Sequence, residues 1–208
     1  MLERNIAKAH LVQDEQLNVD QEQVVNPLAL DMYTLGFDSS KKLTQLSNVV
    51  KENLKTYLSQ FRLVTDAVNI KDAYVINIGV KFSILTKVGF NKNDVLLRCV
   101  SRVKEFFNID RWQIGQPIIL SDIAYELSLV DGVSSVVPPV ENNPSKLPIL
   151  IENKYKVVDG YSGNFYNIEK SLIDGVLYTA LDPSIFEVKY PNSDIQGRVL
   201  GDNLTIGD

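Results

Sequence analysis

The alternation of apolar residues over residues 74–84 constrains the fold of this chain more than any other feature of its sequence. Apolar side chains occupy every second position there: Tyr74, Ile76, Ile78, Val80, Phe82 and Ile84. Smaller or polar residues lie between them: Asn77, Gly79, Lys81 and Ser83. Successive strand side chains point to opposite faces, so this period of two predicts a sheet with one buried face.

Two amphipathic helices are predicted directly after this strand, over residues 94–107 and 122–130. The buried stripe of the first would consist of Leu96, Cys99, Val100, Val103, Phe106 and Phe107. Asn93 is the expected N-cap of this helix and Ser121 that of the next. Gly132 then supplies the positive φ that ends the helix, and a second strand runs to Pro138. Residues 74–137 therefore predict a strand-helix-helix-strand unit on a small sheet.

A long leading helix is predicted ahead of this unit, over residues 40–61. Its apolar residues recur at spacings of three and four and form one stripe: Leu43, Leu46, Val50, Leu54, Tyr57, Leu58 and Phe61. Ser39 or Ser40 would cap its N-terminus. The stripe could pack on the chain's own sheet or against a helix of a partner, and the sequence leaves both alternatives open.

The composition changes after Pro139, where residues 141–146 have the character of a linker. Short strands are predicted beyond it, at residues 149–151, 154–158, 176–180, 185–190 and 195–200, with residues 191–194 closing a hairpin. The sequence thus predicts an α+β chain in three regions. Residues 1–38 form an extended lead-in, residues 39–139 the helix and strand-helix-helix-strand domain, and residues 140–208 a β-rich C-terminal region.

Charge and composition narrow the classes of partner. The net charge is −5, and Lys and Arg are dispersed, which argues against binding duplex nucleic acid. No apolar stretch approaches the length that spans a bilayer, and the N-terminus lacks the pattern of a signal peptide. Cys99 has no second cysteine to pair with. We therefore expect a soluble intracellular protein that binds neither nucleic acid nor membrane.

The sequence offers few groups for catalysis or metal binding. His10 and Cys99 are the only residues of their types, so neither a zinc site nor a histidine-based triad is expected within the chain. Cys99 lies on a helix stripe, where a thiol acts as a small apolar group. Gly160-Tyr161-Ser162-Gly163 lacks the second spacer of a nucleophile elbow and is typical of a tight turn. No cofactor is expected.

Acidic pairs are the enzymatic alternative that remains open. Asp14 with Glu15, or Asp122 with Glu126, could perform acid-base work on a glycosidic bond. Trp112 could form a ligand-binding shelf together with Phe106, Phe107 and Tyr125, although a core cluster between the helices is favoured. The alternative function is accordingly that of a glycan-binding or glycan-hydrolysing component, but the prediction is that the chain is not an enzyme.

Several segments resemble the baseplate wedge protein of contractile-tailed, T-even-like phages, within the broader baseplate J-like family. The similarity covers most of residues 33–200 and rests on the segments Leu35-Gly36-Phe37-Asp38, Leu43, residues 49–57, residues 72–80, residues 103–110, Trp112-Gln113-Ile114, Gln116-Pro117-Ile118, Gly132-Val133, residues 161–166 and residues 186–191. The resemblance implies that the chain is the C-terminal portion of a longer subunit. It also implies a structural role without catalytic residues.

The resemblance further implies partners and a location. Members of this family form a ring around the tail hub through copies of themselves, here expected as a dimer within the ring, and through other wedge proteins. The ring widens when the sheath contracts, and the protein is expected in the virion after assembly in the host cytoplasm. The predicted partner interface combines the leading helix with an exposed strand: Leu43, Leu46, Val50, Leu54, Tyr57, Phe61, Phe186, Val188 and Tyr190.

Overall fold

The computed structural model describes residues 6–13, 29–61, 67–139, 146–180 and 182–200. The strands are Lys8–Gln13 (β1), Ala29–Phe37 (β2), Leu43–Thr44 (β3), Ala67–Asp72 (β4), Tyr74–Thr86 (β5), Ile118–Ile119 (β6), Val133–Val137 (β7), Ile149–Asn153 (β8), Leu172–Ile173 (β9), Val176–Leu177 (β10), Ser184–Glu187 (β11) and Ile195–Val199 (β12). The helices are Asn48–Ser59 (α1), Lys92–Phe106 (α2), Leu120–Ser128 (α3), Ile168–Ser171 (α4) and Pro191–Asp194 (α5). This mixture of helices and sheets confirms the predicted α+β class.

Strand β5 is the centre of the molecule. It pairs in parallel with β11 and β12 and antiparallel with β7 and β8. Because β8 and β12 both pair with residues 80–82, these two strands lie on opposite sides of β5. Apart from the two-residue strand β6 between the helices, the order β5, α2, α3, β7 confirms the predicted strand-helix-helix-strand unit. Its two helices bury the inward side chains Val95, Cys99, Val103, Leu120, Ile123 and Leu127 in the main core.

The expectation of a single buried face on β5 is wrong. Asn77 and Ser83 lie on the face expected to be solvated, yet they are 0% and 2% exposed, whereas Tyr74 on the other face is half exposed. Segments far along the chain cover this second face. The Glu187 carboxylate of β11 and the backbone of Ser162 both bind the Asn77 side chain. Polar residues are therefore buried here because later segments supply their hydrogen-bond partners.

The long leading helix is shorter than predicted. Residues 43–44 form a strand, and α1 starts only at Asn48 with Ser47, instead of Ser39 or Ser40, as its N-cap. The preceding turn is held by the Asp38 carboxylate, which accepts hydrogen bonds from the backbone N–H groups of Ser40 and Lys42. An aspartate that binds the backbone in this way competes with helix formation.

The N-terminal strands form a second sheet, in which β2 pairs antiparallel with β1 and β3 and parallel with β4. Residues 29–37 of the expected lead-in are thus an internal strand of a four-stranded sheet. The predicted linker at 141–146 lies almost wholly outside the described residues. Strands from the predicted C-terminal region nevertheless complete the β5 sheet, and one apolar core runs from Leu35 to Ile195. The second and third regions therefore share one core.

Several local expectations for the later segments are also corrected. Residues 154–156 form no strand, and 157–159 are a 3₁₀ turn. Residues 191–194 are helical and close no hairpin, because β11 and β12 each run parallel to β5. Asn91 caps α2 in place of Asn93, and α3 begins at Leu120 without a side-chain cap.

Gly132 has the predicted positive φ, at 94°. A Cβ at this position would lie 2.7 Å from side-chain atoms of both Phe90 and Val95. Glycine is therefore required here for its conformation as well as for its size. Within the described part of the chain, no helix has the length and apolar character needed to cross a bilayer.

Candidate interaction surface

The nine residues predicted to form a partner interface occupy very different environments. Five are buried inside the chain itself: Leu43, Leu46, Leu54, Phe186 and Val188. Val50 and Tyr190 are half buried. Tyr57 and Phe61 are exposed, at 50% and 72%. In this structure only these last two present a large apolar surface to a partner.

The five buried residues are covered by the chain's own strands and helices. The backbone N–H of Leu43 donates to the Glu187 carboxylate, which holds β3 against β11. Phe186 packs edge-on against Tyr166, with 5.8 Å between ring centroids. An apolar stripe in a sequence does not distinguish these internal contacts from contacts with a second protein.

Tyr57 and Phe61 together form an exposed aromatic patch, called the aromatic patch. Tyr57 lies in the last turn of α1 and Phe61 in the turn that follows it, and their ring centroids lie 5.1 Å apart at an interplanar angle of 55°. Further toward its N-terminus, α1 is anchored by the buried Leu54 and by the Lys51–Asp72 ion pair, at 2.6 Å. The chain thus holds an exposed aromatic pair at the end of an anchored helix.

A second surface, with two exposed leucines among charged side chains, was not predicted from the sequence. Leu97 on α2 and Leu129, just after α3, are 65% and 56% exposed. They line a groove of about 590 Å³ between α2 and the segment that follows α3, together with Arg98, Ser101, Arg102, Glu105, Val130 and Asp131. Leu97 was not predicted as an interface residue because it lies outside the buried stripe of its helix. Helical periodicity does not distinguish an exposed leucine that contacts a partner from one that does not.

Glu187 is the centre of a buried polar network. Its Oε1 accepts from the Leu43 N–H at 2.9 Å, and its Oε2 accepts from the Asn77 side-chain amide at 2.7 Å. Asn77 Oδ1 in turn accepts from the Ser162 N–H at 2.8 Å. Burial raises the pKa of the Glu187 carboxyl above its ordinary value of 4.5, and the two hydrogen bonds oppose this effect. The network ties β3, β5, β11 and the 160–163 turn together.

The side chains considered for nucleophilic catalysis, Ser162, Cys99 and His10, have structural environments. Ser162 Oγ donates to the Val75 carbonyl at 2.8 Å, and Gly160 and Gly163 have φ of 83° and 82°, so the segment is the expected turn. Cys99 is fully buried, and desolvation raises the pKa of its thiol to about 11. His10 lies half buried on β1. None of the three has a partner in the described residues that would activate it for catalysis.

The acidic pairs and the aromatic shelf are likewise not assembled into a catalytic site in the described residues. Glu126 is paired with Arg102, whose Nη2 lies 2.6 Å from its carboxylate, while Asp122 is in the first turn of α3. Trp112 is 5% exposed and packs with Phe106 and Phe107 at centroid distances of 5.8 and 5.5 Å. Tyr125 lies on the surface. Asp14 and Glu15 lie outside the described residues.

No group of three or more His, Cys, Asp or Glu side chains within the described ranges could hold a metal ion.

Among known proteins, neither a protein-family model nor a curated sequence matches this chain. The resemblance to baseplate wedge proteins therefore stays a prediction.

Proposed function

We propose that this chain is a structural subunit of a phage tail baseplate wedge. In this role it associates with copies of itself and with other wedge proteins in a ring around the hub, and it rearranges when the sheath contracts. The sequence resemblance over residues 33–200 supports the phage context. The aromatic patch is the observation in the structure that best supports association with other proteins, because Tyr57 and Phe61 leave much of their ring surface in solvent.

Aromatic side chains of this kind are the usual anchors of protein interfaces. They bury a large area at low entropic cost and can contribute more than 1 kcal/mol each when covered. The remainder of the molecule suits a mechanical role, since β5 is paired along both sides and carries the core. A rigid unit with an exposed aromatic pair can transmit a displacement to its neighbour without unfolding. The protein would then be located in the virion, after assembly in the host cytoplasm.

Sedimentation velocity over a range of protein concentrations tests the proposal. The wild-type chain should form dimers or larger species. The double variant Tyr57→Ser/Phe61→Ser should shift toward monomer, with the dissociation constant raised about tenfold or more. Val88→Ser is the matched control, because Val88 is 97% exposed and lies outside α1, in the turn after β5. This control should sediment like the wild type.

The opposite result is equally clear. A chain that stays monomeric at high concentration and binds no purified baseplate wedge protein does not have the proposed function. Self-association that is unchanged in the double variant would instead move the interface away from the aromatic patch.

A further inference from the structure

The groove lined by Leu97 and Leu129, called the leucine groove, presents apolar surface that another molecule can cover. The two leucines are 65% and 56% exposed, so both are accessible from solvent. The volume of the groove, about 590 Å³, lies within the range of roughly 300–1,000 Å³ found for pockets that enclose a drug-sized ligand. The leucine groove is therefore large enough to receive aromatic side chains.

The charged side chains of the leucine groove indicate what it binds. Arg98 is exposed and has no carboxylate partner in the described residues, since its Nε donates to the Asp94 carbonyl of its own helix at 3.4 Å. Arg102, by contrast, is bound to Glu126 at 2.6 Å. An available guanidinium is attracted to the face of an aromatic ring, which carries negative potential. The exposed Asp131 carboxylate offers an acceptor for a phenol hydroxyl. These charges favour an aromatic occupant.

The aromatic patch has the properties that the leucine groove favours. Tyr57 and Phe61 are 50% and 72% exposed and provide two aromatic rings and one hydroxyl group. Leu97 and Leu129 are exposed in the same chain, so the aromatic patch does not cover the leucine groove of its own copy. A contact between these two surfaces must therefore join two copies of the chain.

We propose that the aromatic patch of one copy binds in the leucine groove of the next copy. The rings of Tyr57 and Phe61 cover the two leucines, and Arg98 contacts a ring face. Each copy uses different surfaces toward its two neighbours, so the contact is heterologous, and a heterologous contact closes into a ring when its rotation allows. This inference rests on the self-association in the proposed function and adds the surface that receives the aromatic patch.

A mixture of two variants that lack opposite halves of the contact tests this proposal. Leu97→Ser/Leu129→Ser removes the apolar surface of the leucine groove, and Tyr57→Ser/Phe61→Ser removes the aromatic patch. For each variant alone, the dissociation constant of self-association should rise about tenfold or more. The mixture should form a one-to-one heterodimer with the affinity of a wild-type contact, because one intact patch and one intact groove remain. Sedimentation velocity with a fluorescent label on one variant measures this heterodimer.

Two single variants examine the charge and the specificity of the contact. Arg98→Ala should weaken self-association about threefold, because the cation–π contact is lost. Val158→Ser is the matched control, since Val158 is 98% exposed and belongs to neither surface. This control should sediment like the wild type. All of these variants should keep the circular dichroism spectrum of the wild type, because the substituted side chains are exposed.

The possible failures of this proposal and of the proposed function differ. Unchanged self-association of Leu97→Ser/Leu129→Ser overturns the proposal, and the aromatic patch would then bind another surface. Two variants that are monomeric alone and do not associate when mixed also overturn it, because each surface would then bind its own equivalent on the partner copy. Unchanged association of Arg98→Ala contradicts the cation–π contact. A wild-type chain that stays monomeric contradicts the proposed function as well.

Discussion

At the scale of single residues, Glu187 is an acidic side chain held in a buried polar network. Its carboxylate is 4% exposed and has two hydrogen-bond donors, the Leu43 N–H and the Asn77 amide. The Asn77 amide is held in its orientation because its Oδ1 accepts from Ser162. The acidic group therefore joins segments that are more than a hundred residues apart, at the expense of its own hydration.

This arrangement predicts a specific dependence of stability on pH. Because the pKa of Glu187 is raised, the folded state binds a proton more tightly than the unfolded state between 4.5 and the raised value. The free energy of unfolding should therefore fall as pH rises through this window, by about 1.4 kcal/mol per unit of elevation. Urea denaturation from about pH 4 to about pH 8 should show this loss in the wild type and not in Glu187→Gln. Parallel profiles would contradict it.

At the scale of elements, the start of α1 shows how one side chain decides between a strand and a helix. Asp38 binds the backbone of the following turn, the chain passes through β3, and Ser47 Oγ then accepts from the Val50 N–H at 3.4 Å. The periodic apolar stripe that predicted one long helix continues across this change from strand to helix. Its first members, Leu43 and Leu46, are buried before the helix starts.

The capping residue of α1 can be tested with two serines of the same region. Ser47→Ala should lower the free energy of unfolding by about 0.5–1 kcal/mol, because it removes the N-cap acceptor. Ser40→Ala is the matched control, since the hydrogen bond at this position uses the backbone N–H of Ser40. It should have little effect in the same urea titration. A larger loss for Ser40→Ala would favour the longer helix predicted from the sequence.

At the scale of the whole molecule, the β5 sheet depends on strands from distant parts of the chain. Strands β8, β11 and β12 pair with β5 along residues 74–84. Their buried residues, such as Ile151, Phe186 and Ile195, belong to the same core as those of α2 and α3. This dependence has a direct consequence for any truncated form of the protein.

A fragment of residues 1–139 should not fold on its own. It would expose the backbone of β5 along most of its length and remove one wall of the apolar core. We expect poor dispersion in its amide NMR spectrum and no cooperative thermal transition, whereas the full chain shows both. Cooperative unfolding of this fragment would contradict the expectation and would support the domain boundary that the sequence predicts after residue 139.

Local periodicity was enough to predict β5, α2, α3 and β7, because side-chain direction follows from backbone geometry within a few residues. It also placed the aromatic patch within the predicted interface. The sequence pattern did not show that Leu43 binds Glu187, the residue next to Phe186, inside the chain. It also did not show that Asn77 is buried. Those outcomes depend on pairing between segments about 110 to 144 residues apart. Only the tertiary structure decides such pairing. The polarity of a residue and its local spacing do not specify which distant segment will cover it.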